Sequence, residues 1–156
     1  MKSIISLLLI TVSFAALSQR VQFEDPDLTF SFKKPKGWEV FDDGYLVKVS
    51  PSINDSSRNY FTITYFEDSQ PFGGVNLLHS ATALQQEKGA YKTTGIKIDG
   101  VQAKYSEQKN KNTLVRLYTF YKYDQRFEIY TSIFPSDNST ISRKTRKIVR
   151  SIQIEK

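Results

Sequence analysis

The sequence predicts an α+β protein, a mainly antiparallel β-sheet flanked by helices in an α/β/α sandwich. Three observations predict it. Bulky residues alternate with period two along most of the chain, short turn signals separate those stretches, and only two windows keep helical spacing. Hairpin turns in place of long crossovers make neighbouring strands antiparallel.

The first residues stand outside that pattern. Lys2 precedes an apolar run of 14 residues, from 4 to 17, and small residues follow at Ala16 and Ser18. This is the charged, apolar and small-residue layout of a secretory signal peptide. The run falls short of the roughly 20 residues a membrane span needs. Residues 1–18 are therefore expected to be cleaved, leaving 19–156 as a single exported domain with no transmembrane segment. An uncleaved anchor or a buried first strand is the rival reading. The destination is periplasmic or extracellular.

The mature chain then reads in order. Residues 19–26 are polar and acidic and are expected to fray. From Leu28 the alternation is strict, with Leu28, Phe30 and Phe32 on one side of a half-buried strand. "KKPKGW" breaks it, because Pro35 donates no ladder hydrogen bond and Gly37 permits a tight reversal. Asp42-Asp43-Gly44 is a hairpin-type turn into a short strand at 45–49. A turn-rich loop leads to a strand at 60–66, bulky on both faces. Residues 75–88 keep helical spacing through Leu77, Leu78, Ala81 and Leu84, and Gly89 stops them. Strands follow at 92–98, 101–107, 113–123 and 126–134, with turns at 99–100, 110–112 and 124–125. The strand at 113–123 is apolar on both faces, so it belongs in the middle of a sheet covered on both sides. Residues 137–139 are capping types before a closing helix whose apolar members are Ile141, Thr145, Ile148, Val149 and Ile152.

Composition narrows the chemistry. With no cysteine in the chain, an exported product has no disulfide, no thiol nucleophile and no cysteine metal site. Without Lys2 the count is 21 Lys and Arg against 16 Asp and Glu, a net of +5 that favours acidic partners. Aromatic residues make up 13% of the chain, which suits a filled β-rich core.

Taken together, "FSFKKPKGW", the helical window after "YFTITYF", "DGVQAKYSEQ", the aromatic hairpin at 113–134 and the closing "KIVRSIQI" resemble the PsbP-like fold group. That group includes an extrinsic photosystem II subunit, Ran-binding Mog proteins and many exported bacterial proteins. The resemblance spans nearly all of the mature chain and implies an antiparallel sheet flanked by helices. It also implies a non-catalytic role, docking onto larger partners.

Two clusters are candidate binding sites. Trp38, the sole tryptophan, lies beside Lys33, Lys34 and Lys36. It is either a buried corner with a solvated lysine rim or a stacking platform for a sugar or acidic polymer, and the corner reading is preferred. On the closing helix Arg143, Lys147 and Arg150 share one face with Arg146 beside them, and Lys144 adds a fifth cation. That face suits an acidic protein patch, nucleic acid, lipopolysaccharide or anionic lipid head groups, or is a plain solvated face near the negative end of the helix dipole, and the solvated reading is preferred.

No catalytic residue, cofactor or metal site is assigned. His79 stands alone, without acidic neighbours at helical spacing or a G-x-S-x-G elbow. The acidic clusters lie beside turns, with no calcium-loop spacing and no sign of a paired glycosidase set. Nothing signals specific nucleic-acid recognition. The expected function is an accessory or docking module of an envelope protein complex, using sheet edges or loops. A binder of a small ligand, anionic polymer or lipid head group, using the basic closing helix or a cleft near Trp38, is the alternative, and a hydrolase without a recognisable motif is the third.

Overall fold

A computed structural model describes residues 19–44, 46–52, 58–67 and 95–156. The expected signal segment, the expected helix at 75–88 and His79 lie outside these residues. In chain order the described residues form β1 (Arg20–Glu24), β2 (Thr29–Lys33), β3 (Glu39–Asp42), β4 (Val47–Ser50) and β5 (Tyr60–Glu67). Then come β6 (Lys97–Ile98), β7 (Val101–Gln102), β8 (Lys104–Lys109), β9 (Leu114–Lys122), β10 (Gln125–Ile133), α1 (Ser139–Arg150) and β11 (Gln153–Glu155).

The alternating, aromatic stretches build a six-stranded sheet in the order β3-β4-β5-β10-β9-β8, antiparallel throughout. Its interior holds the hairpin β9–β10, between β5 and the edge strand β8. Tyr123 and Asp124 both take positive φ, 52° and 62°, and Gln125 faces Lys122, so the loop is these two residues. That is the twist a two-residue hairpin requires, and it sits one residue earlier than the sequence suggests. Both faces of β9 are buried, as its two apolar sides predict: Tyr118 and Phe120 on one, Val115 and Leu117 on the other.

A second sheet, β1-β2-β11, lies with α1 over the Tyr118–Phe120 face. Phe30 and Phe32 of β2 meet Tyr65 and Phe61 of β5 at ring-centroid distances of 6.0 and 5.5 Å. From α1, Thr145, Ile148 and Val149 are buried. The core is thus a sheet-on-sheet and helix-on-sheet contact filled by period-two phenylalanines and isoleucines.

Two expectations are corrected here. Residues 20–24 do not fray: Val21 and Phe23 pair with Phe32 and Phe30, and Phe23 stacks on Phe30 at 4.9 Å. The closing helix stops at Arg150 and does not reach Ile152. The Ser151 hydroxyl donates to the Ile148 carbonyl and accepts the Lys33 N–H, both at 2.8 Å, which ties the helix end to the end of β2 where β11 then pairs. Ile152 and Ile154 are then buried at strand spacing, with Ile154 opposite Phe30. The architecture is α+β but sheet-dominated. Among the described residues a single helix shares its layer with a three-stranded sheet, where an α/β/α sandwich would place helices alone.

Candidate functional site: a basic helix face beside the core

Helix α1 starts where Asn138 caps it. Its side-chain oxygen accepts the Ile141 N–H at 3.1 Å, inside the capping window at 137–139. Lys147 and Arg150 in the last turn suit the dipole. Burial of Thr145, Ile148 and Val149 fixes the rotation of the helix, so Arg143, Arg146, Lys147 and Arg150 are all exposed on the opposite side. Among the described residues none of these four forms an ion pair. They line an open depression of about 520 Å³ together with the capping segment Ser136, Asp137, Asn138 and Ser139, and Ser142. Among the described residues Asp137 is the single carboxylate in that lining.

Lys144 belongs elsewhere. It is half-buried, with its ammonium 5.8 Å from the Trp38 ring centroid, a cation–π distance. The structure therefore brings the two sequence candidates together through a residue that leaves the basic face.

Trp38 itself is 3% exposed. The turn that delivers it has Gly37 at φ 77°, a conformation glycine adopts without strain, and the Trp38 N–H donates to the Pro35 carbonyl at 3.1 Å. Lys34 Nζ donates to the Trp38 carbonyl at 2.7 Å, and Lys33 and Lys36 are exposed. A ring buried to this extent offers no face on which a ligand can stack.

Beneath the basic face lies a group the sequence did not single out. Arg116, in the middle of β9, is 2% exposed. Its Nε donates to Glu107 at 2.7 Å and its Nη2 to Ser142 Oγ at 2.9 Å, which ties β8, β9 and α1 together. Arg116 Nη1 is buried without a hydrogen-bond partner among the described residues. The Tyr105 hydroxyl also donates to Glu107. Burial pushes the Glu107 carboxyl up, but the Tyr105 and Arg116 hydrogen bonds and the charges of Arg116 and Arg146 outweigh it and hold the group below its ordinary value. The available signal was the cross-strand register, which sets Glu107 opposite Arg116.

Other cations are engaged internally. Lys122 Nζ pairs with Asp99 and donates to the Ile154 carbonyl, fastening the β6–β7 turn to β11. Glu128, 6% exposed with Arg126 at 3.5 Å, has its carboxyl raised by burial, and the Arg126 charge opposes the rise. Among the described residues no group of three or more histidines or carboxylates could hold a metal ion, and no helix is long and apolar enough to cross a membrane.

No protein-family model matches the chain, and no curated protein is similar to it in sequence. Among solved structures the chain resembles one from Bacteroides thetaiotaomicron, with a TM-score of 0.50 at 16% identity over 81% of this chain. The chain spans 45% of the length of that protein. LpqN, involved in cell envelope biogenesis of Mycobacterium tuberculosis, superposes with a TM-score of 0.48 at 16% identity, over 88% of this chain and 91% of its own. At these identities, the likeness to the Bacteroides protein concerns the fold alone.

Proposed function

We propose that this chain is a non-catalytic docking module that engages an acidic surface of a partner protein through the outward face of α1. One observation carries the reading: Arg143, Arg146, Lys147 and Arg150 converge on an open depression while, among the described residues, none of them is neutralised by an ion pair. Unpaired exposed cations steer and orient an acidic partner at little desolvation cost. Each is anchored on a helix whose rotation is fixed by Ile148 and Val149, so the charge pattern is held in place before contact. The PsbP-like resemblance supports the same reading, because that group docks onto larger assemblies. The signal-peptide layout of residues 1–18 supports a partner in the cell envelope or outside it.

The test is a salt titration of binding to poly-glutamate, a defined acidic polypeptide, with the wild-type chain and the Arg143→Gln/Lys147→Gln variant. Wild-type affinity should fall steeply with salt, and the variant should bind more weakly with a shallower salt dependence. Equal affinities and equal salt slopes would refute the assignment of the face.

A further inference from the structure

A second depression, of about 440 Å³, shares Arg146 and Arg150 with the first and differs from it in kind. Its volume lies within the roughly 300–1,000 Å³ typical of small-molecule sites. Half-buried Tyr105 and Ile96 offer its apolar surface, backed by buried Tyr118, whose ring centroid lies 5.0 Å from that of Tyr105, and by buried Val149. Gly95, Lys97, Arg146 and Arg150 are exposed, and the last three bring positive charge. Among the described residues no carboxylate lines it. The carboxylate next to Tyr105, that of Glu107, is already held by the Tyr105 hydroxyl and Arg116.

We propose that this depression binds a single amphiphilic organic anion: a carboxylate or phosphate monoester carrying an apolar chain or ring. Cations alone would select inorganic anions, and a tyrosine-aliphatic wall alone would select neutral apolar molecules. Guanidinium groups at the edge of such a wall select a ligand that has both parts, since the planar fork of arginine matches carboxylate and phosphate oxygens while the chain leaves water. The Tyr105–Glu107–Arg116–Ser142 chain of hydrogen bonds fixes the tyrosine side relative to α1. The site depends on the proposed docking face only through Arg146 and Arg150, and the two assignments can fail separately.

Gly95 supplies the means. It lines the depression, and a Cβ added there meets no atom within 4 Å. Gly95→Trp therefore introduces bulk at the site without a steric clash at its Cβ. Calorimetric titration of the full chain with dodecanoate, kept below its micelle concentration, should show saturable one-site binding. Acetate, which lacks the chain, and dodecanol, which lacks the charge, should each bind at least about tenfold more weakly. Gly95→Trp should lose dodecanoate and keep both its unfolding midpoint and its poly-glutamate affinity. Arg143→Gln/Lys147→Gln should do the reverse, weakening poly-glutamate and sparing dodecanoate. Lys97→Glu, an exposed substitution, serves if the tryptophan variant does not fold, and it should also weaken dodecanoate. Equal affinity for dodecanoate and acetate, or for dodecanoate and dodecanol, overturns the proposal. So does a folded Gly95→Trp or Lys97→Glu that binds dodecanoate normally. Binding to phosphatidylglycerol vesicles without binding of monomeric dodecanoate would also overturn it, by making the face a membrane contact.

Discussion

Around Trp38 the chain sets Lys33, Lys34 and Lys36 about a tight turn, and along α1 it sets Arg143, Arg146, Lys147 and Arg150 on one helical face. In the sequence both are basic stretches with apolar neighbours. In the fold, Lys34 caps the Trp38 carbonyl, Lys144 covers the indole and the ring is buried, so the first cluster closes one end of the core. The helix cations meet nothing comparable among the described residues and face a depression. The lesson is that composition marks where charge is, and the neighbours of each cation decide whether it serves the fold or a partner.

The widest gap between the two regions should appear in stability. Trp38→Ala should cost about 3–5 kcal/mol in denaturant unfolding, as for other large core aromatics. Poly-glutamate affinity should persist wherever the variant is still folded. A small loss of stability would make the corner dispensable and undo the contrast.

Next comes the buried arginine under the helix. Glu107→Ala leaves the Arg116 guanidinium, 2% exposed, with Ser142 as its one hydrogen-bond partner among the described residues, and should cost about 2–3 kcal/mol. Arg116→Met frees a carboxylate that is already 40% exposed, and should cost about 1 kcal/mol or less. The opposite ranking in unfolding experiments would show that the network is not governed by burial of the cation.

Two carboxylates give opposite pH responses. The Glu107 carboxyl is lower in the folded chain than in the unfolded one, so the unfolded state binds more protons between the two values. Its contribution is present above the unfolded value and lost as pH falls through the folded value, and Glu107→Gln should flatten that acid-side loss. The Glu128 carboxyl is raised, so the folded state binds more protons and stability declines as pH rises from the unfolded value through the folded one. Glu128→Gln should remove that decline. Unfolding midpoints against pH for both variants check the signs.

The smallest effects return to the basic clusters. Lys34→Met should cost about 1 kcal/mol through its lost bond to the Trp38 carbonyl. Arg143→Gln should change stability by less than about 0.5 kcal/mol. A comparable loss at both would mean that the helix face, too, serves the fold.

Much of this was legible from residue patterns. Leu28, Phe30 and Phe32 declared the inward side of β2, the apolar run at 113–123 declared a central strand, and Thr145, Ile148 and Val149 declared how α1 is rotated. The strand β1 was hidden by its polar residues, although Val21 and Phe23 already alternate, because pairing with β2 is a long-range contact that local polarity does not reveal. The end of α1 was misplaced because Ile152 fits either period, and Ser151 decides between them through a bond to Lys33 far away in the chain. Of the candidate site, the basic face was legible as a wheel. Its separation from Lys144 was not, since that depends on where Trp38 lies. Arg116 was invisible because an arginine within a strand reads as an outward residue until the register places Glu107 and Ser142 around it.

The most direct test removes equal charge from both regions. Lys33→Gln/Lys36→Gln and Arg143→Gln/Lys147→Gln each lose two exposed cations, and poly-glutamate affinity is measured for both at one low salt concentration. The helix pair should lose affinity while the corner pair stays close to wild type. Equal losses in the two variants would contradict this, because net charge alone, with no docking face on α1, would then explain the binding.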